Sequence, residues 1–400
     1  MSRTRKRRPH LWAIVTVPTL LIATLAACSS GSVSAASSSA APSSAASATS
    51  SSSTDFSSII PSGDIVAFSK QLVATSLSAT KGFTPPSTGP KAQKPGATIA
   101  FVGSDLTNGG VNAVSQGVQE AAGVIGWKVD VYDGKATAQG RTDALNQAIA
   151  SKPAAIVLGG FDPTEQAATI ATADKAGIPV VGWHAGAKTG PGNGLFTNVS
   201  TDPLLVSQLA AAYAVADSNG TAGVAIFTDG QYDIAVLKAQ AMKAYIKACS
   251  GCSVLDYEDS PIAEADQRMP GIISNLLQTY GKKLTYLLAI NGNYFGGAQQ
   301  ALRAAGNSPA GPPKSVAAGD GDAAEFQRIR NVDYQAATVA EPLLLQGWQL
   351  VDEINRALAG QPASTFVAAP GLITKENVPS GSVFDPASGY RAVYKTVWGK

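Results

Sequence analysis

The sequence predicts an α/β protein of two lobes, each a parallel sheet with helices on its faces. Three observations predict it. From Thr98 onward, short apolar runs rich in β-branched and aromatic residues alternate with longer segments of helical period. The alternation is completed near residue 200 and restarts behind Asp202-Pro203, so the pattern is made twice. The chain beyond residue 96 holds about 300 residues, enough for two cores. Strands alternating with helices imply parallel pairing through right-handed crossovers.

The first strand is Thr98–Gly103 (TIAFVG). A helix follows over Val111–Ile125, with apolar positions 111, 114, 118, 121, 122 and 125. Trp127–Tyr132 is the next strand, Thr137–Ala150 a helix, and Ala154–Leu158 the third strand. Asp162-Pro163 opens a helix, with Asp as cap and Pro in first position, and that helix ends at Gly177. Ile178–Val181 and Gly194–Val199 complete the first set. Asp202-Pro203 caps the first helix of the second set, whose strands fall at Ala222–Thr228, Ser253–Tyr257, Leu284–Ile290, Ser315–Ala318 and Ala336–Val339. Long helices are expected at Tyr232–Ala248 and Leu344–Ala359.

Residues 1–27 stand apart. Arg3, Arg5, Lys6, Arg7 and Arg8 precede the uncharged apolar stretch Leu11–Ala27, the anatomy of an export signal. The stretch ends in Leu25-Ala26-Ala27-Cys28, which resembles a bacterial lipobox. That resemblance implies cleavage before Cys28, acylation of its thiol, and a body lipid-anchored to the cell membrane, facing the periplasm or the cell exterior. Residues 28–54 are almost entirely small and read as a flexible tether. Residues 55–96 form an N-terminal extension, with a short amphipathic helix between Ile59 and Leu77 and a linker-like run over 85–96.

Of the 30 Lys and Arg, five lie in the signal; 25 then face 28 Asp and Glu, a net charge of −3. No basic stripe remains, so nucleic acid is excluded as a partner. No second apolar run is long enough to span a bilayer. Without a spaced His pair, a phosphate-cradling Gly-x-x-x-x-Gly-Lys-Ser/Thr run or a Gly-x-Ser-x-Gly elbow, no metal, no cofactor and no enzymatic activity are expected. Cys249 and Cys252 close a helical segment ahead of a strand, and outside the cytoplasm they are expected to pair as a structural disulfide.

In sheets of this kind, ligands bind beyond the carboxyl ends of the strands. Those loops carry Asp105 and Asn108 after the first strand, Phe161 after the third, and Trp183 and His184 after the fourth. In the second set they carry Asp229 and Tyr232, then Asn291 and Tyr294, then Asp320, then Glu341. Carboxylates and amides bond hydroxyls, and aromatic rings cover the apolar faces of a ligand. These residues are the candidate ligand contacts. Tyr294 and Phe295 open a helix and suit a core role equally. Asp162, Asp202 and Asp322 read first as helix caps.

The stretches IAFVGSDLTNGG, IVLGGFD, AGIPVVGWHA, FTNVSTDP, LLAINGNYFGGAQQAL, AAGDGDAAEFQRIR and QAATVAEPLLLQGWQLVDEI resemble the type I periplasmic (solute) binding proteins of ABC importers, in the ribose- and sugar-binding branch. The resemblance runs over about residues 97–365. It implies two Rossmann-like lobes with parallel sheets, joined by three hinge strands near Val199–Thr201, Ala340–Pro342 and Gln361–Val367. The N-terminal lobe would comprise 97–199 plus 342–362, and the C-terminal lobe 200–341 plus 363–400. A monomer is implied, delivering a small polar ligand, a sugar or sugar-like compound, to a membrane permease. Asn291 and Asp320 match sugar-contacting residues of the family, and Glu341 stands where sugar binders often have a hinge Gln. Three positions depart from that pattern. His184-Ala185 replaces an Asp-Arg pair, Gly109-Gly110-Val111 replaces aromatics in the first loop, and Val236 lies near the usual second-lobe Arg. The departures leave polyol, cyclitol, nucleoside and aromatic polar ligands open beside sugars. The same fold also serves ligand sensors that address a membrane receptor.

Overall fold

A computed structural model describes residues 54–78 and 85–400. Cys28, the signal at 1–27 and all but the last residue of the 28–54 tether lie outside them. Helix α1 (Ile65–Ser78) precedes the first sheet. The first lobe is built from β1 (Thr98–Gly103), α2 (Gly109–Ile125), β2 (Lys128–Asp133), α3 (Ala138–Ala150), β3 (Ile156–Gly159), α4 (Ala167–Lys175), β4 (Val180–Trp183), β5 (Gly190–Gly192) and β6 (Leu195–Val199). The second contains α5 (Pro203–Asp217), β7 (Gly223–Thr228), α6 (Asp233–Ala248), β8 (Ser253–Asp259), α7 (Ala265–Tyr280), β9 (Tyr286–Ala289), α8 (Tyr294–Ala304), β10 (Lys314–Ala317), α9 (Ala323–Asn331) and β11 (Gln335–Ala340). The chain ends with α10 (Leu343–Leu358), β12 (Gly371–Thr374) and α11 (Tyr390–Trp398).

The strands form two six-stranded sheets, ordered β2-β1-β3-β4-β6-β5 and β12-β11-β10-β9-β7-β8. Pairing is parallel except at one edge of each, where β5 runs against β6 and β12 against β11. The inner strands carry apolar side chains on both faces because helices cover both. Ile99, Ala100, Phe101 and Val102 of β1 are fully buried, as are Val224–Phe227 of β7. Helix α2 is capped by Asn108, whose side chain accepts from the backbone N–H groups of Gly110 and Val111. It packs closely on α10: a Cβ on Gly117 would lie 2.7 Å from the Leu344 carbonyl oxygen, and Gly347 meets the Gly117 backbone from the other side.

The chain passes between lobes after β6, after β11 and between α10 and β12. It crosses once more before α11. Tyr390, Tyr394 and Trp398 recur every fourth residue, and this aromatic face packs on Trp348 of α10 in the first lobe. The Trp348 and Trp398 rings stack at 5.4 Å, and Trp398 Nε1 donates to Asp352 at 2.8 Å. Residues 390–398 therefore belong with the first lobe, a correction to the expected placement of all of 363–400 in the second.

The N-terminal extension is folded onto the body. α1 lies on α5, and Ser69 shares a buried hydrogen bond of 2.9 Å with the Tyr245 hydroxyl. The 85–96 run is not a free linker. Asn355 of α10 accepts from Gln93 N at 2.8 Å and donates to the Pro90 carbonyl at 3.0 Å, and Trp127 Nε1 donates to the Gln93 carbonyl at 2.9 Å. A segment poor in apolar residues is held here through its backbone groups. Cys249 and Cys252 form a disulfide just past the end of α6. One helix start also differs from expectation: α4 begins at Ala167, with no side-chain cap, because Asp162 is engaged elsewhere.

Candidate functional site

The carboxyl ends of both sheets face one another across a cleft. Its inner part is a cavity of about 70 Å3 lined from the first lobe by Ser104, Asp105, Asn108, Trp183 and His184, and from the second by Tyr232, Lys238, Asn291 and Asp320, among others. Beyond it lies an outer chamber of about 610 Å3. The Trp183 and His184 rings stack at 4.0 Å, nearly parallel, as one aromatic wall. Trp183 Nε1 is fixed by donating to Gln346 Oε1 at 2.9 Å.

Behind that wall, fully buried Glu341 holds the two lobes together. Its Oε2 accepts from His184 Nε2 at 2.9 Å and from the Thr201 hydroxyl at 2.5 Å; its Oε1 accepts from Lys238 Nζ at 3.0 Å. Burial works to raise the Glu341 pKa, but the charges and hydrogen bonds of His184, Lys238 and Thr201 outweigh it and hold the carboxyl well below its usual range. The carboxylate is thus a fixed negative charge with its lone pairs engaged.

Asp320 is the opposite case. It is 7% exposed, lines the cavity, and its carboxylate has no hydrogen-bond partner among the described residues. Burial pushes its pKa up to about 7, against the pull of Lys238 and His184. A buried carboxylate without donors is costly, and donors from a bound molecule would remove the cost. Both His184 (φ 48°) and Asp320 (φ 63°) hold left-handed backbone, a conformation that non-glycine residues adopt at some cost and that concentrates at functional sites. Asn291 accepts from the backbone N–H of Asn293 at 3.2 Å, and its amide N–H2 remains for a ligand.

The remaining candidates separate. Asp105 and Asn108 border the cavity, with Asp105 also accepting from Thr107 N at 2.9 Å. Tyr232 lines it too, with its ring under the Arg141 guanidinium at 5.7 Å. Three of the expected contacts are not brought to the cavity surface. Phe161 is fully buried in the first-lobe core. Tyr294 lies in the second-lobe core and donates to the Ser260 carbonyl at 2.8 Å. Asp229 is spent on the local backbone, accepting from Gln231 N and Ile262 N. Glu341 acts from behind, through His184 and Lys238.

Lys238, which the strand-end loops do not include, also lines the cavity. It stands on α6 rather than in a strand-end loop. A signal was present: with Ile234, Ala235, Ala239, Met242 and Tyr245 it falls on the helix's buried face. It supplies a second-lobe cation two residues beyond Val236. It also bears on metal binding. His184, Asp320 and Glu341 offer ligand atoms within 4.8 Å of one another, but the Lys238 ammonium already sits on Glu341 and supplies the positive charge a metal would bring.

A first-lobe carboxylate also reaches the second lobe. Asp162 Oδ2 accepts from the Asp233 N–H, in the first turn of α6, at 2.9 Å. The expected cap on its own helix is therefore not made, and Asp162 instead satisfies a first-turn N–H of a helix in the opposite lobe. Burial raises the Asp162 pKa to about 6, against the stabilising Asp233 hydrogen bond. Asp202 and Asp322 cap their own helices as expected.

A family model described as a periplasmic binding protein domain matches residues 99–362. No curated protein matches the chain in sequence. Among solved structures, the chain is similar to an ABC transporter solute-binding protein from Agrobacterium vitis bound with α-D-tagatopyranose, at 20% identity and a TM-score of 0.63, over 73% of this chain and 99% of that one. It is similar to GanP, a glucose-galactose binding protein from Geobacillus stearothermophilus, at 19% identity and 0.63, over 72% and 100%. It is also similar to a solute-binding protein from Bacillus halodurans with bound myo-inositol, at 17% identity and 0.62, over 76% and 100%. At these identities the likeness establishes the fold.

Proposed function

Because the chain belongs to the periplasmic binding protein family, a family of binding proteins rather than enzymes, we propose that it is the extracytoplasmic substrate-binding component of an ABC importer. It takes a small hydroxylated ligand, a sugar or sugar-like compound, between its lobes. The observation that carries this reading is Asp320: a buried carboxylate with no protein donor, facing a cavity walled by Trp183, His184, Asn291 and Lys238. Ligand hydroxyls donate to Asp320, and the aromatic wall covers an apolar ring face. Glu341 keeps His184 and Lys238 in place across the hinge. The tagatose- and inositol-bound neighbours support the ligand class. Cys28, behind the export signal, carries the lipid anchor to the membrane, and the body is a monomer.

A thermal-melt screen over sugars, polyols, cyclitols, nucleosides and aromatic acids tests the proposal. A ligand at 100 times its Kd stabilises by about 2.7 kcal/mol, a shift of a few degrees. One selective hit without turnover is expected; turnover of the hit, or a nucleoside or aromatic acid as the hit, would overturn the assignment. For the anchor, radiolabelled palmitate should enter the wild-type protein and not Cys28→Ser, and equal labelling would refute it. A membrane sensor in place of the importer would show as ligand-dependent capture of a receptor instead of a permease.

A further inference from the structure

The cleft offers more room than one ring needs. The inner cavity of about 70 Å3 adjoins the outer chamber of about 610 Å3, and Asp105, Asn108, Ile262 and Ala263 border both. One wall of the chamber is α2. Asn108, Asn112 and Gln116 recur at every fourth position, which places three amides in a row along the helix face that lines the chamber. Asn293, at the start of α8, faces them from the second lobe. The side-chain amides of Asn112, Gln116 and Asn293 make no hydrogen bond to other described residues. An amide both donates and accepts, so it matches a hydroxyl, which does the same. Charge narrows the class further. Among the described residues lining the chamber, Asp105, Asp266 and Asp322 stand against one cation, Arg328, a setting that repels phosphate or carboxylate groups.

We propose that the ligand is an uncharged two-unit compound, a glycoside or disaccharide. One ring sits in the inner cavity against Trp183, Asn291 and Asp320, and the second hydroxylated unit lies in the outer chamber against Asn112, Gln116 and Asn293. Gly109 and Gly110 stand at the boundary without side chains. Cβ atoms there would come within 2.2 Å of Asp322 Oδ2 and 2.7 Å of Asp320 Cγ, so acceptors rather than hydrocarbon flank the link between the units. This inference rests on the sugar-binding reading above and specifies its ligand.

The test is calorimetry on the full-length protein in a zwitterionic, sugar-free detergent. Matched sets are titrated: galactose and melibiose, glucose and cellobiose, arabinose and arabinobiose, myo-inositol and galactinol. The expected result is one two-unit compound binding at least tenfold more tightly than either of its single units. The Asn112→Ala/Gln116→Ala double variant, checked for an unchanged melting profile, should lose that advantage, while Asn291→Ala weakens single and double units alike. Equal affinity for single and double units, or a double variant that keeps the full advantage, would overturn the proposal and make the chamber a solvent-filled mouth, leaving the binding-protein reading intact. Absence of binding by every compound would overturn both.

Discussion

Two buried carboxylates at the cleft are satisfied in opposite ways. Glu341 has its donors inside the protein; Asp320 has none and waits for them. Asp320→Asn and Asn291→Ala should each weaken ligand binding by about 1–3 kcal/mol, roughly 5- to 150-fold, because buried ligand hydroxyls lose a partner. Asp320 also sets a pH dependence. Its folded pKa of about 7 lies above the ordinary 3.8, so the folded protein holds a proton that the unfolded chain has released. Its contribution to stability therefore falls as pH rises from about 4 to 7 and is lowest above that. Hydroxyl donors favour the charged form, so ligand binding should release a proton near pH 7 and tighten as pH rises from 6 to 8. Calorimetry in buffers of different ionisation heat reads the proton, and Asp320→Asn should remove both effects. Lys238 shows what strand-end reading overlooks: its helical period places it on a buried face, while its charge suggests solvent.

Among the elements, those buried on both faces were legible from sequence. β1, β7 and β9 are unbroken apolar runs because helices cover them on each side, and α2, α6 and α10 keep a clean period. The parallel edges β2 and β8 were legible too, but the antiparallel edge strands were not. β5 is Gly-Pro-Gly and β12 four residues long, and each pairs because a neighbour's edge is available rather than by its own pattern. The start of α4 was misplaced because Asp162-Pro163 has the local chemistry of a cap, and only the other lobe's position reveals which helix it serves. Phe161, Tyr294 and Asp229 follow strands as the cavity-lining residues do; side-chain direction, invisible in sequence, turns them away from the cavity. The closest helix contact gives a stability test. Gly117→Ala would place a Cβ 2.7 Å from the Leu344 carbonyl. Despite alanine's better helix propensity, it should destabilise by about 1–3 kcal/mol in urea unfolding, and an unchanged midpoint would show that α2 and α10 can separate without cost.

For the whole molecule, the lobes meet through two polar ties: Glu341 with His184 and Lys238, and Asp162 with the α6 N-terminus. The Asp162 tie forms only when the lobes are together, so on the proposed function it favours the closed form. Asp162→Ala should speed ligand dissociation about tenfold, the worth of a lost helix cap, with a smaller change in association rate by stopped-flow fluorescence. The two-lobed plan itself was legible because the strand-helix pattern restarts at Asp202. The return of α11 to the first lobe was not, since its aromatic face finds its partner only in three dimensions. The central claim is that an interlobe carboxylate awaits a hydroxylated ligand. It is tested most directly by titrating the best compound from the melt screen into wild-type protein and Asp320→Asn at pH 7. One-to-one binding with proton release in the wild type, at least fivefold weaker and without proton release in the variant, is the predicted result. Equal affinity and equal proton release in both would contradict it.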